Sequence, residues 1–425
     1  MIKLLKYLVP AAVALLLTAC HSGHGNGGAV ATPANLRFVN AAPDVSLTVT
    51  LNGGAAFSNT AASSATGYAQ VTAGSYLVTV TSTSTSLVSP AVTLALATGQ
   101  TYSLLAYVRD GAVVISLINE NQTVPPTGFA TLGVSNASPD SGALDVFVVA
   151  PGTTNLAGLA PTFQSTAFRA APISTTLVAG TFDMVLTAAG NPTDVRLVVP
   201  SVVVTGGEIL TLAFTSTTGG ALVSGVLLNQ TGATFVPTIN ARVRIVSALP
   251  IAGASLVSAT VGSTSLASVF APNPGVYALV TGGTTTYTVT AAGAAVATLP
   301  AATFAVGGDY TILVYGTAGA PIVEVLTDNN QAPSVGGNAK VRLVNAGVNV
   351  AGGLTLYDNS VQVASSVGYG AASPYFGVVA SSSSTLELIQ PSVAPVSTTL
   401  ALTAGSVYTV FVIDTTLTMY VIRDR

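Results

Sequence analysis

One cysteine, Cys20, and two histidines, His21 and His24, stand almost side by side near the start of the chain, and neither residue type recurs after them. A Ser-His-Asp or Cys-His nucleophile needs a histidine base, so none can be built in the remainder of the chain. Zinc sites with the usual His and Cys ligands are excluded there on the same ground. Weak metal capture by His21 and His24 is set aside, because both lie in the Gly-rich stretch HSGHGNGGAVATPA. Lys340 is the only lysine after Lys6. A Ser-Lys dyad would have to include it, but beside Arg342 at the start of a strand it reads as a solvated edge charge. Asp140 and Asp145, with Gly142 between them, are a nearby pair of acids within a folded unit that a two-carboxylate glycosidase could use at roughly 5–10 Å. The simpler reading has Asp140 capping the turn after Pro139 and Asp145 on the polar face of the next strand. Gly206-Gly207-Glu208 precedes a strand and lacks Lys, so it is no phosphate cradle. No calcium loop of the Asp-x-Asp-x-Asp-Gly kind occurs. The chain is therefore expected to be non-enzymatic and to need no cofactor and no metal.

Two residue classes remain that could bind. Tyr68, Tyr76, Tyr102 and Tyr107, with counterparts Tyr369, Tyr375 and Tyr408, could stack on sugars. In β-sandwiches such tyrosines more often fill the core or a corner, with the hydroxyl on a backbone partner. Tyr68 and Tyr375 are the binding candidates. Arg37, Arg244 and Arg342 recur at one position and could form a row of anion-binding points. Gly133 interrupts that row, which favours a structural arginine whose stem packs and whose head meets a local carboxylate or carbonyl.

The elements that must position these residues follow from composition. Only 27 of the 425 residues are charged (12 Lys and Arg, 15 Asp and Glu), about a quarter of the usual share. Twelve cations cannot make the basic stripe that phosphate binding needs, which excludes nucleic acid as a partner. Lys3 and Lys6 lead into an apolar run, Leu8 to Leu17, too short for a membrane span of roughly 20 residues. The run ends Leu17-Thr18-Ala19-Cys20, which resembles a bacterial lipobox. That resemblance implies cleavage before Cys20, lipidation of Cys20, and an extracytoplasmic protein held on the cell envelope, at the outer membrane where there are two. Acyl chains on Cys20 would make the membrane a partner. Residues 1–19 are then a signal peptide, and 20–34 the acylated Cys and a flexible tether spanning roughly 20 Å.

Self-comparison of the rest reveals four repeats. Leu36-Arg37-Phe38-Val39-Asn40-Ala41-Ala42-Pro43-Asp44 returns at Leu132–Asp140, at Val243–Pro250 and at Val341–Gly347. Aligned positions 37, 133, 244 and 342 are separated by 96, 111 and 98 residues. A later marker, a Gly three residues before an apolar strand start, recurs at Gly99/Tyr102, Gly207/Leu210, Gly307/Tyr310 and Gly405/Tyr408. Within each repeat Val and Thr alternate in short runs closed by turn pairs such as Asn52-Gly53 and Asp110-Gly111, the pattern of half-buried antiparallel strands. Seven or eight strands in about 85–110 residues predict an immunoglobulin-like antiparallel β-sandwich per repeat. The expected boundaries are 35–124, 125–237, 238–335 and 336–425.

The opening R-[FI]-V-N-A-x-P-D, the segment Gly67-Tyr68-Ala69-Gln70-Val71-Thr72-Ala73-Gly74-Ser75-Tyr76, its counterpart Gly368–Phe376 and the Gly-x-x-Tyr strands are together similar to the domain-of-unknown-function family numbered 4397. The resemblance runs over residues 35–425, with departures at Gly133 and Ile251. It implies tandem repeats in secreted bacterial surface proteins and lipoproteins, and it carries no activity.

The expectation is an all-β chain of four tandem sandwiches on a lipid anchor, arranged end to end over about 100–150 Å. Its role would be structural, adhesive or ligand-presenting; the alternative is a glycan- or peptidoglycan-binding module that uses exposed tyrosines. A polysaccharide or protein is the expected ligand. Strand edges with almost no Lys point to cover by neighbouring repeats or to self-association.

Overall fold

A computed structural model describes residues 32–250, 256–296, 299–348, 350, 352–413 and 417–425. Cys20, His21 and His24 lie outside them. The described residues form strands and no α-helix, and no helix among them is long and apolar enough to cross a membrane.

Each repeat pairs two sheets, as the alternation predicts. In one, the opening strand (Ala34–Asn40, Phe129–Asn136, Asn240–Ser247 or Asn338–Asn345) lies beside a late strand (Thr101–Arg109, Ile209–Ser216, Asp309–Thr317 or Val407–Ile413). The late strand turns back through a hairpin into a return strand (Ala112–Asn119, Val223–Asn229, Ala320–Asp328 or Thr418–Arg423). The other sheet has four antiparallel strands, ordered in the fourth repeat as Val361–Val367, Leu354–Asp358, Ser381–Ile389 and Val396–Leu402. One feature departs from a purely antiparallel sandwich: opening and late strands run parallel in all four repeats, with Phe38 opposite Leu104 and Leu343 opposite Val410. Alternation fixes which face a residue takes but says nothing about the direction of a partner that lies 60 or more residues away.

The two sequence markers have physical explanations. Gly99, Gly207, Gly307 and Gly405 all adopt positive φ (70–86°), the turn that feeds the late strand and that a Cβ would strain. The tyrosine three residues on is a corner: the hydroxyls of Tyr102, Tyr310 and Tyr408 accept the backbone N–H of Ala97, Ala305 and Thr403. The Asn of the opening motif is a clamp. Asn40 Nδ2 donates to the carbonyls of Val45, Thr60 and Ala61, while its Oδ1 accepts from Ala42 N–H. Asn136 and Asn345 repeat the arrangement with Thr166 and Val367.

The chain divides into two compact units: residues up to Tyr107 with Ala112–Asn121, and Val108–Gly111 with Gln122–Arg425. The first holds one sandwich, whose core includes Phe38 stacked on Phe57 at 6.2 Å. The second holds repeats two, three and four, each with its own core. A further core joins the third repeat to the fourth: Val246, Ala248, Leu313 and Tyr315 pack with Val344, Ala346, Phe411 and Ile413. Each residue of the first set precedes its counterpart in the second by 98 positions, the repeat offset, so the two repeats use the same face against each other. That accounts for opening strands buried on both sides. It also corrects the end-to-end expectation within this unit. Repeats three and four lie sheet face to sheet face, and Arg425 of the fourth donates to the carbonyl of Pro139 in the second.

Candidate functional site

The recurring arginines sit on opening strands with their heads buried beside a late-strand hydroxyl. In the first unit Arg37 donates through Nε to Ser103 Oγ (2.6 Å) and through Nη2 to Glu120 (2.7 Å). Its guanidinium lies 4.7 Å from the centre of the Tyr68 ring, and the Tyr68 hydroxyl donates to the same carboxylate at 2.8 Å. Burial, with Glu120 adding and Arg37 opposing, raises the Tyr68 phenol above its ordinary range.

The third and fourth repeats build the same constellation and then exchange its halves. Arg244 donates to Thr311 Oγ1 of its own repeat (2.9 Å) but pairs with Asp424 of the other (2.6 Å). Arg342 donates to Thr409 Oγ1 of its own repeat (3.0 Å) but pairs with Asp328 of the other. Each Asp is held in turn by its own repeat's threonine, Thr311 to Asp328 (2.6 Å) and Thr409 to Asp424 (2.5 Å). Tyr277 lies under Arg242 and Arg244 and donates to Asp328 at 2.6 Å; Tyr375 lies under Arg342 and Lys340. Burial works against ionisation of Asp328, but Arg342 and Arg244 outweigh it and hold its carboxyl below the ordinary range. Side-chain length goes with the pattern. The longer Glu120 meets the arginine of its own repeat, whereas the shorter Asp328 and Asp424 meet the arginine facing them.

The second repeat lacks this pair altogether. Gln122 takes the arginine's place, donating to Thr211 Oγ1 at 2.6 Å, and its amide occupies the space that a Cβ on Gly133 would need. The acidic position is also changed. Gln230 stands two residues beyond Leu228, the register partner of Thr211, as Asp328 stands beyond Leu326 and Asp424 beyond Ile422.

The other sequence candidates have structural partners. Asp140 is buried, accepts a bidentate pair from Arg109 (2.7 Å each) and the N–H of Ala332, and has Arg425 at 3.8 Å. Asp145 accepts the backbone N–H groups of Ser165 and Gly190, pinning two turns. Lys340 donates to Asn329 Oδ1 at 2.9 Å and is partly buried, not a solvated edge charge; burial is the main cause that lowers its pKa to about 8. Tyr76 donates to Thr72 O, and Tyr107 is buried. Among the described residues no group of three His, Cys, Asp or Glu could hold a metal ion.

Of the two binding candidates, Tyr68 has one ring face on Arg37 and Tyr375 has one on Arg342. Tyr375 also lines the larger of two concavities that flank residues 371–375. This groove of about 540 Å³ lies between the third and fourth repeats, with Tyr315, Glu324, Thr327 and Asn329 on one side and Tyr369 and Ser373 on the other. Tyr369 stands edge-on to Tyr315 with ring centres 5.1 Å apart, and Gly370 lets the Tyr315 hydroxyl approach where any Cβ would collide. The second concavity, about 500 Å³, is lined by residues 362–368 and 371–376. Sequence reading did not single out Tyr277, Tyr315 or Glu324. Tyr277 had a signal, since it follows Arg244 by 33 residues as Tyr375 follows Arg342. Tyr315 and Glu324 had none, because only the pairing of two repeats brings them to the groove.

No curated protein matches the sequence. The TIE protein of Bacillus anthracis is 10% identical over 86% of this chain and 65% of its own, with a TM-score of 0.15; the chain thus spans less than two thirds of it. A candidate cell adhesion protein from Bacteroides fragilis is 10% identical over 47% of this chain and 98% of its own, with a TM-score of 0.14. The multi-modular glycogen-degrading pneumococcal virulence factor SpuA is 9% identical over 62% and 37%, with a TM-score of 0.15. The family match covers residues 34–147, which is the first repeat and the first two strands of the second, and does not extend to the third and fourth. Residues 34–147 match the model of DUF4397, a family described as a domain of unknown function.

Proposed function

We propose that this chain is a lipid-anchored, extracytoplasmic β-sandwich array with a non-enzymatic role in adhesion or ligand presentation on the cell envelope. The observation that carries the reading is where its few charges go. Arg37, Arg109, Arg242, Arg244 and Arg342 are all paired with carboxylates no more than 9% exposed, so these charges are committed to holding sandwiches and their neighbours together. Such a frame suits display of a surface at a distance from a membrane, and repeated weak contacts would gain by avidity. Lipidation of Cys20 supplies the anchor in this reading. Metabolic labelling with a palmitate analogue tests it: label on the intact chain that disappears in Cys20→Ala supports the anchor, and an unlabelled wild-type chain removes it. Protease loss of an epitope in the fourth repeat on intact cells, with a periplasmic control spared, would point to outward display; protection until the outer membrane is opened would refute the adhesin reading.

The second reading, glycan binding through tyrosines, is favoured by one observation: Tyr315, Tyr369 and Tyr375 converge on one groove.

A further inference from the structure

Resting on that second reading, we infer that the groove between the third and fourth repeats binds a neutral oligosaccharide, with Tyr369 as the stacking platform and Glu324 as the acceptor for sugar hydroxyls. Tyr369 is 43% exposed and its ring carries no cation, unlike those of Tyr68 and Tyr375. Its edge-on contact with Tyr315, and the close seat of Tyr315 on Gly370, fix its orientation before any ligand arrives. An aromatic face held in advance avoids the ordering cost that weakens binding by mobile side chains. The groove's volume of about 540 Å³ lies inside the range of about 300–1,000 Å³ typical of small-ligand sites.

Charge selects the ligand class. Glu324 is exposed and lines the groove with Tyr315 and Tyr369; burial first, and the Glu324 carboxylate after it, raise the Tyr315 phenol. The one arginine in the lining, Arg342, donates Nε to Thr409, Nη1 to Thr327 O and Nη2 to Asp328, so its charge is already answered within the fold. The groove therefore offers an apolar face, phenol hydroxyls and a carboxylate, a set that matches a pyranose with its own hydroxyl donors. Uronic acids and sulfated sugars meet Glu324 as like charges.

Isothermal titration of the chain with cellohexaose, maltohexaose, xylohexaose and chitohexaose, with hexagalacturonate as the anionic comparison, tests this. The expected result is saturable binding of at least one neutral hexamer, at least tenfold weaker in Tyr369→Ala and in Glu324→Gln, retained in Tyr369→Phe, and absent for hexagalacturonate. Both substituted residues are exposed, so far-ultraviolet dichroism and the thermal midpoint of the variants should match the parent. If a neutral hexamer binds and both variants bind it equally well, this site is wrong while the glycan reading stands. Should none of the four bind, the site and that reading fall together. Equal binding of hexagalacturonate overturns the charge argument and with it the proposed ligand class.

Discussion

Replacing Asp328 by Ala is the sharpest probe of the exchanged ion pairs. Asp328 is 1% exposed and accepts from Arg342, Thr311 and Tyr277. Without it Arg342, whose side chain is 2% exposed, keeps two neutral hydrogen-bond partners, Thr409 Oγ1 and Thr327 O, and the face of the Tyr375 ring. Removing one member of a buried pair costs about 3–5 kcal/mol, because the remaining charge stays out of water. At a urea m-value of about 2 kcal/mol/M that lowers the midpoint by about 1.5–2.5 M. The chain has no Trp, so near-ultraviolet dichroism of its tyrosines reports the transition. Several sandwiches unfold in one experiment, so midpoints of matched variants are compared and no single unfolding energy is assigned. Asp194→Ala is the control: it removes a partner 33% exposed from Arg196, a pair worth about 0–1 kcal/mol. The apolar double variant Asp328→Leu with Arg342→Met should recover most of the loss, since a buried pair swapped for packed hydrophobics is often neutral. Equal midpoints for Asp328→Ala and Asp194→Ala, or a double variant as unstable as the single, would refute the account.

The same carboxylate sets an acid limit. The folded pKa of Asp328 lies below the ordinary aspartate value, so its stabilisation is complete above about pH 4 and is lost as pH falls further; acid melts should show this step in the parent and not in the Asp328→Leu, Arg342→Met variant. Gly133→Ala should cost about 1–2 kcal/mol by dislodging Gln122 from Thr211, and adding Gln122→Ala should leave no further penalty from the new methyl group, as read by thermal melts of the three variants. Asn345→Ala should cost about 2 kcal/mol in urea titrations, because it orphans Val367 O and Gly347 N–H together. Amine labelling followed by mass spectrometry should find Lys340 reacting with a pH midpoint near 8, well below that of a free lysine.

Much of the fold was legible because local physics wrote it. Val-Thr alternation marked the strands, the positive-φ glycines marked the late turns, and the tyrosine corner followed each turn except the second, where Leu210 has no hydroxyl. The bland reading of Arg37, Arg244 and Arg342 as structural arginines matches their paired heads. Its partner was expected to be local, and for Arg244 and Arg342 the carboxylate comes from the facing repeat, 180 residues ahead and 14 behind. Nothing in one repeat encodes which copy will face it. The groove was illegible for the same reason: Tyr315 and Glu324 come from one repeat, Tyr369 and Ser373 from the next. Gly133 looked like a lapse in the motif and is instead half of a coordinated change, since the arginine and the acid are lost together.

The reciprocal contact between the third and fourth repeats also limits how such an array can be lengthened. Stacking that joins the front of one repeat to the back of the next leaves a free end and can continue indefinitely, one copy at a time. A face that binds its own likeness is used up once two copies meet. A third repeat with the same arginine and aspartate, added after them, would find no complementary surface and would expose an unmatched apolar sheet with its charges. Growth by this face therefore comes in pairs. Loss of a single member strands its mate, and an odd copy must either give up arginine and acid alike, as the second repeat does, or close the pair within itself, as the first does through the longer Glu120.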